Sequence, residues 1–318
     1  MRKKFFKGLS LLLILILSLS FVACSKEEQS SVPAPQENAM VAADAEVNVL
    51  EEKVMAYFAN MPKDIYKVKH SKAVEEVKNG EDIFILDIRS ADDYAKGHLK
   101  SAYNAPWGPA IAEALPMIPQ DKKVYVYCYT GQTAGQAVMT LNLAGFDAKS
   151  INLGWMLGIS KVEGYEDVVE TTSNELADKV TDIDPEIQEA ITAYYNGLAD
   201  VSGSIFKNYK VSEKSLKELI DNKDESIYVL SVRSAEDFGK MKIATANNIP
   251  WGAGMEKEFA NLPKDKTIVV YCYTGQTAGQ TVAGLRLLGY DAVSLNGGMG
   301  MDINKPHGWL NKGYETVK

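Results

Sequence analysis

Short apolar runs recur along the chain, and the segments between them have helical spacing. In the first half these runs are Ile83–Asp87 and Val124–Tyr127, and in the second half Ile227–Leu230 and Ile268–Tyr271; a further strand is predicted at Ala148–Ile151. Runs of four or five largely apolar residues are typical of strands that are buried on both faces of a parallel sheet.

Amphipathic segments between these runs predict helices. One helix is predicted over Ser71–Lys78, where Gly80 ends it. A second follows the run at Val124–Tyr127 and ends at Gly145, with apolar residues at i, i+3, i+4 and i+7: Ala134, Ala137, Val138 and Leu141. The alternation predicts an α/β fold with a mainly parallel sheet and helices on both faces.

The chain contains the same pattern twice. The ten residues Tyr127–Gln136 recur unchanged as Tyr271–Gln280, at an offset of 144 residues. Further upstream, Tyr66-Lys67-Val68 matches Tyr209-Lys210-Val211 at an offset of 143. A repeat of this length indicates two duplicated domains rather than a solenoid. We place the first domain at 49–170, the second at 189–318, and a linker at 171–188.

The N-terminus has the pattern of a secretory signal. Four basic residues precede the apolar run Leu9–Val22, which is too short to span a bilayer comfortably. The sequence Phe21-Val22-Ala23-Cys24 resembles the lipobox of bacterial lipoproteins, in which the cysteine is lipidated and becomes the N-terminus. We therefore predict a signal peptide at 1–23, a lipid anchor at Cys24 and a tether at 24–48, with an uncleaved membrane anchor as the alternative. The protein is expected outside the cytoplasm, anchored to a bacterial membrane.

Charge and cysteine content narrow the function classes. The net charge is −8, and removal of the signal peptide would bring it to about −12, which argues against nucleic acid and anionic lipid as partners. Three cysteines (Cys24, Cys128 and Cys272) are too few for a disulfide scaffold. No metal-ligand spacing occurs among cysteines and histidines, so we predict neither a metal site nor a cofactor.

The candidate nucleophiles are Cys128 and Cys272. Each follows a predicted buried strand and precedes a helix, where free backbone amides and the helix dipole favour a thiolate and an anionic adduct. The alternative is a buried structural cysteine beside a glycine turn. The predicted binding loops are Tyr129, Thr130, Gly131, Gln132, Thr133 and Ala134 in the first repeat and Tyr273, Thr274, Gly275, Gln276, Thr277 and Ala278 in the second.

These motifs together resemble the rhodanese superfamily over 51–165 and 190–318. They are Asp87-Ile-Arg89, Tyr94-x-x-Gly97-His98, Asn104-x-Pro106-Trp107 and the six-residue cysteine loop. The resemblance implies two tandem rhodanese-like domains and a sulfurtransferase. In that family a cysteine thiolate takes sulfur from a donor such as thiosulfate, holds it as a persulfide, and passes it to a thiophilic acceptor.

The loop departs from the family pattern because it contains no cation. Thiosulfate would then be bound by backbone donors and the helix dipole alone, so a small organic persulfide or polysulfide is an equally good candidate donor.

The residues around the loop also differ between the repeats. Asp87 and Arg89 are expected to form an ion pair that supports the loop. The second repeat has Ser231 in place of the aspartate, which leaves Arg233 available to face the pocket. Trp107 and Trp251 are expected to pack in the core, with a wall of the sulfur pocket as the alternative.

Other functions compete with turnover. The chain could be a persulfide carrier that hands sulfur to an acceptor protein, or a sulfur- or redox-sensing binding module. A phosphatase would need Cys-x5-Arg, but Ala134 and Ala278 occupy the arginine position. By analogy with tandem rhodaneses, the domains are expected to pack face to face with both loops at the cleft between them.

Overall fold

The computed structural model describes residues 48–176 and 178–318. The predicted signal peptide, the predicted lipidation site Cys24 and the predicted tether up to residue 47 lie outside the described residues. Among the residues that are described, no helix is both long enough and apolar enough to cross a membrane.

The first repeat alternates strands and helices as the apolar pattern predicts. Its elements are α1 (Val49–Ala59), β1 (Lys67–Val68), α2 (His70–Lys78), β2 (Ile83–Asp87), α3 (Ala91–Ala95), β3 (His98–Leu99), β4 (Ala102–Asn104), α4 (Pro109–Ala114), β5 (Lys123–Tyr127), α5 (Gln132–Leu143), β6 (Asp147–Ile151) and β7 (Val169–Glu170). A π-helical turn, Gly154–Gly158, follows β6.

The second repeat has the same order of principal elements. They are α6 (Pro185–Asn196), β8 (Lys210–Val211), α7 (Glu213–Asp221), β9 (Ile227–Ser231), α8 (Ala235–Lys240), β10 (Asn247–Asn248), β11 (Thr267–Tyr271), α9 (Gln276–Leu287) and β12 (Ala292–Leu295). A 3-10 helix, Met255–Asn261, takes the place of α4.

Each repeat has a five-stranded, fully parallel sheet. The strand orders are β1-β6-β5-β2-β4 and β8-β12-β11-β9-β10, so equivalent strands take equivalent places. The central strands are buried on both faces: Ile268, Val269 and Val270 are fully buried, which accounts for the continuous apolar run. The predicted fold class, two tandem α/β domains with parallel sheets, is confirmed.

One hydrophobic cluster extends through both repeats, and each repeat has a second cluster of its own. Helix α5 packs against α9, and apolar residues of both helices belong to a single cluster that extends through both domains. Because these helices start directly after the cysteine loops, their contact brings the two loops together between the domains, as the tandem-domain analogy predicts.

The helix that precedes each sheet, α1 in the first repeat and α6 in the second, packs against the other repeat. Phe58 of α1 packs edge-on against Trp251 at 5.8 Å between ring centroids. Tyr195 of α6 packs in the same way against Trp107 at 5.4 Å. Each leading helix therefore covers the tryptophan of the other repeat.

Helix α6 begins inside the segment that we predicted as the linker, 171–188. The side chain of Asp184 accepts hydrogen bonds from the first helical amides, and Pro185 occupies the first helical position. Both features favour a helix start at this point, which the polar composition of the segment concealed.

Candidate active site

The thiol of Cys128 is held by the backbone of its own loop. Cys128 directly follows β5, and its side chain is 2% exposed. Its Sγ accepts hydrogen bonds from the amide of Gly131 at 3.1 Å and from the amide of Ala134 at 3.4 Å. Gly131 has φ +89°, a left-handed conformation that favours glycine and turns the chain into α5.

The loop of the second repeat has the same geometry. Cys272 follows β11, is 2% exposed, and accepts a hydrogen bond from the amide of Gly275 at 3.1 Å. Gly275 has φ +96° and precedes α9. In both repeats, then, amide hydrogens at a helix N-terminus point at a sulfur atom, an arrangement that stabilises negative charge there.

A second glycine packs closely against each cysteine loop: Gly154 in the first repeat and Gly298 in the second. The sequence analysis identified neither of them. A Cβ on Gly154 would lie 2.8 Å from the amide nitrogen of Gly131, and one on Gly298 would lie 2.9 Å from that of Gly275. The amide of Trp155 donates to the carbonyl of Cys128 at 2.8 Å, fixing the first loop against the turn after β6. These glycines occupy matched positions in the two repeats, and that match was the available signal.

Each loop is also attached to the opposite repeat through a glutamine. The amide of Gln132 donates to Ser294 Oγ at 2.7 Å and to the carbonyl of Leu295 at 3.0 Å. In the other direction, the amide of Gln276 donates to Ser150 Oγ at 2.6 Å. Gln132 and Gln276 were predicted as binding-loop residues. In the structure their side chains join the domains.

Cys272 lies in an open cleft of about 590 Å³ that both repeats line. The second repeat contributes Trp251, Tyr273 and Thr277, and the first contributes Lys67 and Leu153. Trp251 thus combines both roles that we considered for it, since it also packs against Phe58. Lys67 was visible in the sequence only as part of a repeated tripeptide, to which we gave no role.

Asp87 and Arg89 form a buried ion pair, with Nη2 to Oδ2 at 2.5 Å. Burial by itself would lower the pKa of Arg89, but the hydrogen bond and charge of Asp87 raise it above its ordinary value. The guanidinium also lies over the ring of Trp155 at 4.1 Å and donates to the carbonyl of Gly97. The pair thereby connects the end of β2 to the turn that supports the loop.

The expectation that Arg233 faces the pocket is wrong. Its side chain is buried, its Nη2 donates to the carbonyl of Met241, and its guanidinium lies 5.5 Å from the ring centroid of Tyr271. The residue keeps the position of Arg89 although Ser231 supplies no carboxylate. Its Nε therefore has no hydrogen-bond partner among the described residues.

The remaining predicted residues frame the loops. The Tyr129 hydroxyl donates to Asp93 at 2.6 Å, and the Tyr273 hydroxyl donates to Asp237 at 2.6 Å. Hydrogen bonds from Lys96, Tyr129 and Ser90 hold the pKa of Asp93 well below its ordinary value. Both tyrosines are therefore held in place by an aspartate of a short helix, α3 after β2 in the first repeat and α8 after β9 in the second.

Thr130, Thr133 and Thr274 are half-buried in the loops, and Ala134 and Ala278 are buried in the first helical turns. Trp107 packs against Tyr195 in the core. The arrangement offers two thiols with convergent amide donors, which suits a nucleophile that forms and holds an anionic adduct.

Comparison with known proteins points in the same direction. The model of the family described as "Rhodanese-like domain" matches residues 70–158 and 212–300, together more than half of the chain.

Two curated relatives match a part of this chain that is about as long as one repeat. The "Putative sulfur carrier protein YrkF" of Bacillus subtilis is 29% identical over 79 residues, 25% of this chain and 42% of that protein. The "Probable adenylyltransferase/sulfurtransferase MoeZ" of Mycobacterium tuberculosis is 29% identical over 104 residues, 32% of this chain and 26% of that protein. The chain thus spans less than half the length of either relative.

Among solved structures, a rhodanese-related protein from Thermoplasma volcanium is 27% identical. The match covers 34% of this chain and 96% of that one, with a TM-score of 0.29.

Proposed function

We propose that this chain, which belongs to the rhodanese family, is a sulfurtransferase that carries sulfane sulfur as persulfides on Cys128 and Cys272. The observation that carries the proposal is the pair of identical loops, each with a buried thiol facing a glycine amide at 3.1 Å. A structural cysteine does not require that the ten-residue segment containing it be identical in two repeats that differ elsewhere.

The proposed chemistry has two half-reactions. The cysteine thiolate attacks the outer sulfur of the donor, for which thiosulfate and a small organic persulfide are the candidates. A new S–S bond forms, the donor's S–S bond breaks, and its electron pair leaves on sulfite or on the organic thiolate. A cyanide or thiolate acceptor then attacks the outer sulfur of the persulfide, and the cysteine leaves as a thiolate.

The loop amides support both half-reactions. They donate to sulfur in the resting state, and their direction suits the negative charge on the outer sulfur of the persulfide and on the departing group. No general base is needed once the cysteine is a thiolate. The cysteine loop accordingly presents amides, hydroxyls and an aromatic ring.

A persulfide carrier without turnover is the second candidate. One relative is named as a sulfur carrier, and the loop amides that face each thiol would also hold a persulfide until a partner removed the sulfur. A sulfur- or redox-sensing module is a third possibility that uses the same thiols.

The experiment is a thiocyanate assay on residues 46–318, which form one compact unit. With thiosulfate or an organic persulfide as donor and cyanide as acceptor, the wild-type protein should turn over repeatedly. Cys128→Ser and Cys272→Ser should each keep part of the rate, and the double variant should lose it. Stoichiometric loading with no turnover would favour the carrier. Full activity in the double variant would remove both cysteines from the mechanism.

The proposal includes attachment to a bacterial membrane outside the cytoplasm through a lipid on Cys24. Metabolic labelling with palmitate in a bacterial host should mark the full chain, and Cys24→Ser should abolish the label. Labelling that persists in this variant would contradict the anchor.

A further inference from the structure

One lysine of each repeat lies beside the cysteine of the other repeat. Lys67, in β1, lines the cleft that contains Cys272. Lys210 has the equivalent place in β8, paired with Ser294, which accepts a hydrogen bond from Gln132 of the Cys128 loop. The cysteine loops contain no cation, so these lysines supply a charge that each loop lacks.

The sheet and the glutamine bridges explain how the lysines reach across. Lys67 pairs with Ser150 between β1 and β6, and Ser150 is the serine that accepts the hydrogen bond of Gln276 from the opposite loop. Side chains of paired residues in neighbouring strands project to the same face of a sheet. Lys67 and Ser150 therefore both face the loop of Cys272.

The second repeat reproduces these contacts in the reverse direction. Lys210 pairs with Ser294 between β8 and β12, and Ser294 accepts the hydrogen bond of Gln132 from the loop of Cys128. In each repeat, the lysine is paired across the sheet with a serine, and that serine accepts a hydrogen bond from the loop of the other repeat.

The backbone before each lysine is strained in the same way. Ile65 and Tyr66 have φ values of 51° and 55°, and Asn208 and Tyr209 have values of 60° and 50°. Left-handed conformations are unfavourable for residues other than glycine and tend to occur where function requires them. Their recurrence at both positions indicates that the direction of the lysine is maintained in both repeats.

The lysines are available for a ligand. Within residues 48–176 and 178–318, neither ammonium group has a hydrogen-bonding side-chain partner. Burial lowers the pKa of both amines, and the electrostatic influence of the neighbouring cysteine opposes part of that effect. Glu213 lies near Lys210, but its carboxylate already accepts hydrogen bonds from Asn296 and from the amide of Gly308.

We propose that each active site is completed by the other repeat: Lys67 binds the anionic group of the sulfur donor at Cys272, and Lys210 does so at Cys128. The inference rests on the proposed function and narrows its substrate class to anionic donors such as thiosulfate. A thiolate and a thiosulfate dianion bring three negative charges together, and an ammonium group in the cleft offsets part of the repulsion.

The test places each lysine variant in a background with one active cysteine. Lys67→Met in the Cys128→Ser protein should raise the KM for thiosulfate at Cys272 about 10-fold or more, the loss expected for a hydrogen bond to a charged group. The same lysine variant in the Cys272→Ser protein should leave Cys128 unchanged. Lys210→Met should show the opposite pattern.

Two controls separate charge from folding. Lys67→Arg should recover most of the KM, and Lys69→Met, at an exposed lysine two residues away, should have no effect. A lysine variant that impairs the cysteine of its own repeat, or neither cysteine, would overturn the proposal.

A second readout is independent of sulfur transfer. Iodoacetate is an anion and iodoacetamide is neutral. A nearby ammonium group therefore raises the rate of alkylation by iodoacetate relative to the rate by iodoacetamide. Lys67→Met should lower this ratio at Cys272 severalfold and leave it unchanged at Cys128. If the wild-type protein turned over no donor, the proposed function would fail. The alkylation ratio would still test whether each lysine places its charge beside the cysteine of the other repeat. An unchanged ratio would overturn that role.

Discussion

Helices α5 and α9 approach each other through a glycine on each, so one added methyl group should disturb both active sites. A Cβ on Gly135 would lie closer than 3.0 Å to the carbonyl oxygen of Gln276 and 3.2 Å from its carbonyl carbon. A Cβ on Gly279 would overlap the carbonyl oxygen of Gln132 in the same way. Backbone atoms cannot rotate aside as a side chain can, so Gly135→Ala must move the two helices apart.

Two opposing terms set the size of the effect. Overpacking a well-packed interior costs about 1–3 kcal/mol, and contact with rigid backbone places this site near 3. Alanine is more favourable than glycine inside a helix by about 1 kcal/mol. Gly135→Ala should therefore lower the free energy of unfolding by about 2 kcal/mol.

Urea unfolding of residues 46–318 measures this change. The matched control is Gly239→Ala in α8, where the added Cβ meets no atom within 4 Å and the free energy of unfolding should rise by about 0.5–1 kcal/mol. Because α5 and α9 carry Gln132 and Gln276, Gly135→Ala should also slow sulfur transfer at both cysteines. A Gly135→Ala protein as stable as the control would refute the close approach.

Three further predictions concern single sites. Ser231→Asp should raise the free energy of unfolding by about 1–3 kcal/mol in urea, because the carboxylate would pair with the buried guanidinium of Arg233; unchanged or lower stability would contradict this. Gly154→Ala should slow alkylation of Cys128 about 10-fold without affecting Cys272, since the methyl group displaces one loop; equal slowing at both would contradict a local effect. Burial lowers the pKa of Lys67, so its charge is lost at a lower pH than that of an exposed lysine. In Cys128→Ser the KM for thiosulfate should therefore rise with increasing pH, while the KM for an uncharged donor stays constant.

The sheet and the loops were predictable because their signals are local. A buried strand such as β11 is a continuous apolar run, and the spacing of Ala134, Ala137 and Val138 marks the helix after the cysteine. The unchanged loop in a second copy added information that one domain alone would have lacked.

The contacts between the repeats were not predictable because they depend on how two finished domains pack. Nothing around Lys67 in the sequence indicates that it faces Cys272, and nothing in α1 indicates that Phe58 covers Trp251. Arg233 was placed wrongly for a related reason. Loss of its carboxylate partner was taken to release the side chain, whereas packing against Tyr271 and the carbonyl of Met241 keeps it buried.

Mass spectrometry of the protein after exposure to donor tests the central claim most directly. Residues 46–318 are incubated with thiosulfate or an organic persulfide, digested without reducing agent, and the peptides of Cys128 and Cys272 are weighed. We predict one additional sulfur atom on each cysteine, which disappears when cyanide is added as thiocyanate forms. Unmodified cysteines with every donor, or equal sulfur uptake by the Cys128→Ser/Cys272→Ser protein, would contradict the account.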